Sequence, residues 1–395
     1  MSIKLSHRVQ AVRPSPTLAI TARAAALRAA GKDVIGLGAG EPDFDTPEHI
    51  KDAARKAIAK GKTKYTPVDG TPGLKQAVID KFRRDNGLEY SADQVLVSCG
   101  GKQSFYNLAQ AILDPGDEVI IPAPYWVSYP DMSILAGGEP VLVHADAGQH
   151  FKITPAQLRG AITDKTRLVV INSPSNPTGM AYSANELAAL GEVLRDHPRI
   201  AIATDDMYEH IRWNRDEPFV NILSVCPDLA DHTLVLNGVS KAYAMTGWRI
   251  GYAGGPAEII RAMKKIQSQS TSNPTSISQY AAEAALNGPQ DCIGEMLKQF
   301  KRRHDTVVER LNAMPGISCL PTDGTFYVFP SVKGLIDAID GVNDDLQLAE
   351  YLIEHAGVAL VPGAAFGLAG HARISIATGM DNLQNALDRI ERLIG

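Results

Sequence analysis

Short apolar runs punctuate the chain, each separated from the next by an amphipathic stretch. Val95-Leu96-Val97, Val119-Ile120-Ile121, Leu168-Val169-Val170-Ile171, Ile200-Ala201-Ile202-Ala203 and Leu234-Val235-Leu236 are too short for helices and carry apolar residues at consecutive positions. Runs of this kind fit strands covered on both faces. Helical stretches lie between several of them, such as Glu186 to Leu194, which follows a loop at Pro174 to Gly179. This alternation predicts an α/β fold with a mostly parallel sheet between two layers of helices.

The last hundred or so residues follow a different pattern. Leu383, Leu387, Ile390 and Ile394 mark one face of a helix. Phe326-Tyr327-Val328-Phe329 and Arg373-Ile374-Ser375-Ile376 have the composition of strands. A smaller α+β lobe is therefore expected, beginning near the turn-forming Asn287-Gly288-Pro289. Near the start, Arg13-Pro14-Ser15-Pro16 precedes an alanine-rich helix, and Gly36 to Pro42 forms a loop.

With 395 residues the chain has room for two or three lobes at roughly 150 residues each. Its 45% hydrophobic content is that of a globular protein, and 34 glycines with 24 prolines are too few for a low-complexity chain. A formal charge of −5 leaves no footprint for nucleic acid or an anionic membrane. Met1 to Gln10 lacks the apolar core of a signal peptide, and no run of about 20 apolar residues offers a membrane span. Cys99, Cys226, Cys292 and Cys319 form no C-x-x-C pair and no zinc-ligand cluster, so reduced thiols, no metal and a cytoplasmic location are expected.

Two glycine clusters invite nucleotide readings, and both fail on spacing. In Gly36-Leu37-Gly38-Ala39-Gly40, Glu41 stands where the dinucleotide fingerprint needs its third glycine. Gly100-Gly101-Lys102 resembles the end of a P-loop, but Leu96 and Gln103 occupy the positions that require Gly and Ser or Thr. Because Gly100-Gly101 follows a strand and precedes a helix over Gln103 to Leu113, its backbone N–H groups are placed either to hold a phosphate or simply to make a tight turn.

The segment richest in chemistry runs from Asn237 to Gly251 and contains Ser240, Lys241, Trp248 and Arg249. Lys241 lies just past a buried-type strand and eight residues before Arg249. Desolvation and a nearby cation turn an amine into a nucleophile at neutral pH, able to form a Schiff base with an aldehyde cofactor. The run S-K-A-Y-A-M-T-G-W-R-I-G closely resembles the lysine motif of class I aminotransferases, the pyridoxal-phosphate enzymes of fold type I. Further signatures follow in family order: Ala39-Gly40-Glu41-Pro42-Asp43-Phe44, Tyr65-Thr66-Pro67, Pro124-Tyr125-Trp126, Asn176-Pro177-Thr178-Gly179, Asp205-Asp206-Met207-Tyr208 and Arg373-Ile374-Ser375. The likeness spans about residues 10 to 393 and is strongest to the bacterial aspartate aminotransferase branch.

The resemblance implies a seven-stranded-type sheet in a large lobe over 49–288, with 1–48 and 289–395 forming the small lobe. It implies pyridoxal 5'-phosphate as cofactor and Lys241 as both its covalent anchor and the general base. Asp205 resembles the carboxylate that keeps the pyridine nitrogen protonated. Asp206 competes for that role but points to the other side of an extended chain, and the D-x-x-Y spacing to Tyr208 favours Asp205. Tyr208 and Asn176 would bond the cofactor's phenolic oxygen, Asn176 otherwise being an ordinary turn residue before Pro177. Arg249, with the backbone at Gly101 and Lys102, resembles the phosphate site. Gly238 stands where many relatives place a hydroxyl, so that contact is either missing or supplied by Ser240. Trp126 resembles the residue stacked on the ring, with a core tryptophan as the plainer alternative. Arg373 would grip the substrate α-carboxylate beside Gly40, and Tyr65 would reach the neighbouring subunit's cofactor, making the working unit a homodimer.

For substrates the resemblance implies an amino acid and a 2-oxo acid, most closely L-aspartate and 2-oxoglutarate. A dicarboxylate needs a second cation; Lys102 is the candidate, although a phosphate-proximal or solvent-facing lysine fits the sequence equally well. Prephenate, aromatic or other amino-acid specificity and a carbon–sulfur β-lyase are the neighbouring readings. A regulatory protein on the same fold would need an added DNA-binding segment, for which there is no room before residue 10.

Overall fold

The computed structural model describes residues 3–12, 14 and 16–394. Met1, Ser2, Arg13, Ser15 and Gly395 lie outside the described residues, and with them part of the expected Arg13–Pro16 turn. The strands in chain order are β1 (Ile35–Gly36), β2 (Val95–Ser98), β3 (Glu118–Ala123), β4 (Glu139–His144), β5 (Thr166–Asn172), β6 (Ala201–Asp205), β7 (Thr233–Gly238), β8 (Gly251–Gly254), β9 (Tyr327–Val328), β10 (Val358–Ala359), β11 (Val361–Pro362) and β12 (Ala372–Ser375).

Seven of these form one sheet in the order β2-β8-β7-β6-β5-β3-β4. Only β8 runs antiparallel to its neighbours. The consecutive apolar positions divide between two cores, as the twofold repeat of a strand requires. Val95, Val97, Ile120, Val169, Ile171, Ile202 and Val235 face a core shared with the helices Pro72–Asn86 and Ala184–Arg195. Leu96, Val119, Ile121, Leu168, Val170, Leu234 and Leu236 face the other, against the helices Gly101–Ile112 and Ala257–Ser268. An unbroken apolar run is thus what a strand between two helical layers needs.

One strand of this sheet escapes the sequence pattern. β8 reads Gly-Tyr-Ala-Gly, with no β-branched residue, and is a strand only because β2 and β7 supply its partners. β4 lies at the sheet edge and is only partly covered, although its Val141-Leu142-Val143 is an apolar run of the same kind as those of the central strands.

Helix ends are locally encoded. Thr71 caps the helix Pro72–Asn86, with Pro72 in its first turn and Gly87 in the left-handed conformation at its end. Ser183 and Glu186 make a capping box for the helix Ala184–Arg195. Towards the C-terminus, β11-β12-β9 form a small antiparallel sheet, and β1 pairs in parallel with β10. The helix Met380–Ile394 buries Leu383, Leu387 and Ile390 against this part of the chain and packs on the long helix Asp291–Ala313. Among the described residues no helix is long and apolar enough to cross a membrane, and all four cysteines are free.

Candidate active site

The parallel strands end on one edge of the sheet, and the chemistry of the chain collects there. Asn172 closes β5, Asp205 closes β6 and Gly238 closes β7. The turn after β2 delivers Gly100 and Gly101, the loop after β3 delivers Trp126, and antiparallel β8 is entered from Arg249 at the same edge. A cavity of about 470 Å3 opens between them. Gly40, Gly101, Lys102, Trp126, Asn176, Asp205, Tyr208, Ser240, Lys241, Arg249 and Arg373 all line it. Tyr65, the remaining residue to which the resemblance gives a site role, does not; it is 92% exposed.

Lys241 is partly buried, and its Nζ donates to the Gly40 carbonyl at 2.5 Å. Burial first, and the Arg373 charge second, push its ammonium down to about 8. Asp205 Oδ2 accepts from the Tyr129 hydroxyl at 2.5 Å and Oδ1 from the Met207 N–H at 3.2 Å. Burial raises this carboxyl above its ordinary value, while those two donors and Lys241 pull the other way. Asp206 faces away from the cavity, fully buried, and accepts from the Thr204 hydroxyl and the Asn221 amide.

At the other end of the cavity the backbone takes over. Gly100, at φ +88°, caps the helix Gly101–Ile112, and the first two residues of that helix, Gly101 and Lys102, line the cavity with Arg249. A Cβ on Gly100 would come within 2.5 Å of Arg249 Nη2, so the cradle admits only glycine there without displacement. Arg249 itself is in the left-handed conformation at φ 56° and donates to the Thr246 carbonyl at 2.8 Å. Ser240 is buried at the cavity wall. A Cβ at Gly238 would meet the Ile250 carbonyl at 3.0 Å and Gly251 Cα at 3.1 Å, so a hydroxyl side chain there would require its neighbours to give way.

Arg373 enters from β12, only 2% exposed. Its Nη1 donates to Asn176 Oδ1 at 3.0 Å and Nη2 to the Gly38 carbonyl at 2.7 Å. Its guanidinium lies between the rings of Tyr327 and Phe366, at 4.3 and 4.9 Å from their centroids. Nε is buried without a partner. Lys102 Nζ sits 5.1 Å from the Trp126 ring centroid, and burial followed by Arg249 lowers its pKa.

The family described as aminotransferase class I and II matches residues 32–390. An aspartate/prephenate aminotransferase of Nitrosomonas europaea is 59% identical, covering 99% of this chain and 100% of its own. An aspartate aminotransferase of Geobacillus stearothermophilus is 51% identical, covering 99% of each. Among solved structures, the aspartate aminotransferase of Rhizobium meliloti superposes with a TM-score of 0.95 at 51% identity, covering 99% of this chain and 98% of that one. The chain belongs to the class I and II aminotransferases.

This aminotransferase is a pyridoxal-phosphate enzyme, and its cavity fits that cofactor on chemical grounds. A phosphate dianion suits the glycine-walled helix start with Arg249, a pyridinium suits the partly buried Asp205 carboxylate, and an aldehyde suits an amine of lowered pKa.

Three side chains of the aminotransferase site have no counterpart in the sequence motifs. Tyr327 meets the Tyr208 hydroxyl at 3.1 Å, Tyr129 holds Asp205, and Asn172 Oδ1 accepts from the Asn176 N–H at 2.9 Å. Tyr327 and Tyr129 read in sequence as core aromatics, since both are 1% exposed, and only their hydroxyl partners mark them out. Tyr65 sits on a clamped loop: Gln279 Nε2 donates to Thr66 Oγ1 at 3.0 Å and Gln267 Nε2 to the Val68 carbonyl at 2.7 Å.

Proposed function

We propose that the enzyme exchanges an amino group between L-aspartate and 2-oxoglutarate, giving oxaloacetate and L-glutamate. The observation that carries this reading is the pairing of two cations in one cavity: Lys241, with its lowered pKa, and Arg373, whose buried Nε has no partner. An amine nucleophile and a guanidinium lining the same cavity are what an α-amino acid requires. Relatives at 50–59% identity named aspartate or aspartate/prephenate aminotransferase support the substrate. So does a Thermus thermophilus aspartate aminotransferase solved with the dicarboxylate maleate, at 45% identity and a TM-score of 0.93.

Bound pyridoxal phosphate supplies an aldehyde that takes up amino groups and a ring that accepts the electrons released at Cα. Lys241 would anchor it and, once displaced by the incoming amino group, its freed amine would carry the proton to and from Cα. Asp205 would keep the ring nitrogen protonated. Tyr208 and Asn176 would donate to the phenolic oxygen. Gly101, Lys102, Ser240 and Arg249 would hold the phosphate, and Trp126 would cover the ring. Arg373 and the Gly40 backbone orient the substrate carboxylate, and Lys102 meets the distal one. We read 49–288 as the cofactor lobe, with 1–48 and 289–395 as the lobe that presents Arg373; the β1–β10 pairing of the two chain ends supports this division.

Tyr65, exposed on a clamped loop, suits a residue offered to a second copy of the chain, and we read the working unit as a cytoplasmic homodimer with shared sites. Sedimentation of the active enzyme checks this; full activity in a monomer overturns it.

The decisive assay adds L-aspartate to purified holoenzyme. The visible absorption should bleach, and oxaloacetate should form with 2-oxoglutarate as acceptor. Prephenate as acceptor is a second reading, favoured by the names of relatives at 59% and 56% identity, and the same assay with prephenate decides it. Pyruvate and ammonia released from cystathionine without any oxo acid would instead mark a β-lyase.

A further inference from the structure

The residue next to Tyr208 belongs to a buried ionic cluster that does not line the cavity. Glu209 is 3% exposed and Lys81 0%, and the two form an ion pair. Lys81 Nζ also donates to Asn86 Oδ1 at 2.7 Å, and Asn86 Nδ2 to Glu209 Oε2 at 2.7 Å. His210 Nε2 lies 3.5 Å from Glu209 Oε1 and 3.4 Å from Asp85 Oδ2. Asp85, Glu209 and His210 could together hold a metal ion, but the Lys81 ammonium already lies against Glu209 as its cation. Burial opposes the Glu209 charge, yet Lys81, His210 and Asn86 outweigh it and keep the carboxyl below its ordinary pKa.

Such a pair adds little to stability, because the cost of desolvating two charges roughly cancels their attraction and apolar side chains would fill the space as well. Apolar side chains could not supply direction. Glu209 Oε1 accepts from Asn237 Nδ2 at 2.8 Å, and Asn237 Oδ1 accepts from the Gly238 N–H at 2.7 Å. Asn237 is 2% exposed and stands four residues before Lys241. The turn after β6 is fastened to β7 a second time, by the Asp206 N–H on the Leu236 carbonyl at 2.9 Å. One carboxylate therefore ties the turn that carries Asp205 and Tyr208 to the strand end that carries Lys241.

We propose that Glu209 is a positioning residue: through Asn237 it sets the spacing between the Tyr208 hydroxyl and the Lys241 amine, with Lys81 holding it in place. This rests on the reading of Lys241 as the cofactor-bearing lysine.

Two double variants of the holoenzyme separate positioning from mere stability. Both remove the buried charges. Lys81→Met with Glu209→Gln keeps an acceptor for Asn237, whereas Lys81→Met with Glu209→Leu does not. Melting temperature, kcat, KM and the pH midpoint of the visible absorption are read for each. The Leu double variant should lose about ten- to a hundredfold in kcat, with KM little changed and the midpoint displaced, whatever its melting temperature. The Gln double variant should recover both kcat and midpoint.

Wild-type kcat and midpoint in the Leu variant, or equal losses in both, overturn the proposal. Should neither double variant fold, Asn237→Ala decides, since it leaves the ion pair intact: a displaced midpoint supports the proposal and an unchanged one refutes it. A Lys241→Ala chain that kept the wild-type titration would refute the reading of Lys241, a failure distinct from any of these.

Discussion

Asp205 and Asp206 are consecutive in the chain and opposite in surroundings: Asp205 faces the cavity, held by Tyr129, while Asp206 points into the core, held by Thr204 and Asn221. The twofold repeat of the strand end makes them so. Asp205→Asn should cost about 10^3-fold or more in kcat, since an amide cannot hold a positive charge opposite it, while the melting temperature changes little. Asp206→Asn should leave kcat within about threefold, an amide replacing a carboxyl already inclined to be neutral.

Asp206 also gives the fold a pH dependence. Burial raises its pKa from 3.8 to about 7, so the folded chain binds more protons than the unfolded one between those values. Its contribution to stability is full below 3.8 and is lost as pH rises through about 7. Denaturant titrations of the wild type and Asp206→Asn should diverge across that window by about 4 kcal/mol, at about 1.4 kcal/mol for each pH unit of the shift. Parallel curves would contradict this account.

The lowered pKa of Lys241 predicts how the cofactor-free chain takes up its aldehyde. Only the neutral amine attacks, so the capture rate should climb about tenfold per pH unit below 8 and level off above it. Stopped-flow mixing with pyridoxal phosphate measures this. Lys241→Arg should capture nothing and lose about 10^4-fold or more in turnover.

Arg373 offers its carboxylate partner a planar fork already steadied by Asn176, Gly38 and two aromatic rings. Arg373→Lys keeps the charge and loses the fork. It should cost about 2 kcal/mol, near thirtyfold in kcat/KM, for every α-amino acid alike. Steady-state kinetics on aspartate and alanine would show whether the loss is uniform.

Lys102 predicts the opposite pattern. Lys102→Ala should lower kcat/KM for aspartate about tenfold more than for a neutral amino acid, because only aspartate brings a second carboxylate. Equal losses would leave Lys102 with the phosphate alone.

Gly100→Ala tests the cradle. The residue holds φ +88°, and the added Cβ meets Arg249 Nη2 at 2.5 Å. A backbone penalty of about 1–3 kcal/mol for this essentially glycine-only conformation and a displaced guanidinium should together weaken cofactor binding about tenfold or more. Equilibrium dialysis of pyridoxal phosphate gives the number directly.

The alternation of apolar runs with helices, the Lys241 segment and the family it belongs to were all determined by the chain itself. Each depends on short-range pattern or on a contiguous motif: a strand between two helical layers must be apolar at successive positions, and a lysine motif is read in one stretch. β8 escaped because Gly-Tyr-Ala-Gly has no propensity of its own and becomes a strand only through β2 and β7. Tyr129 and Tyr327 escaped because an aromatic ring is apolar in sequence whether or not its hydroxyl finds Asp205 or Tyr208. The meeting of Gly38, Asn176 and Arg373, or of Lys81, Glu209 and Asn237, joins residues far apart in the chain. Only tertiary packing brings such groups within hydrogen-bond reach, since these bonds act over about 3 Å and no local preference specifies a partner hundreds of residues away.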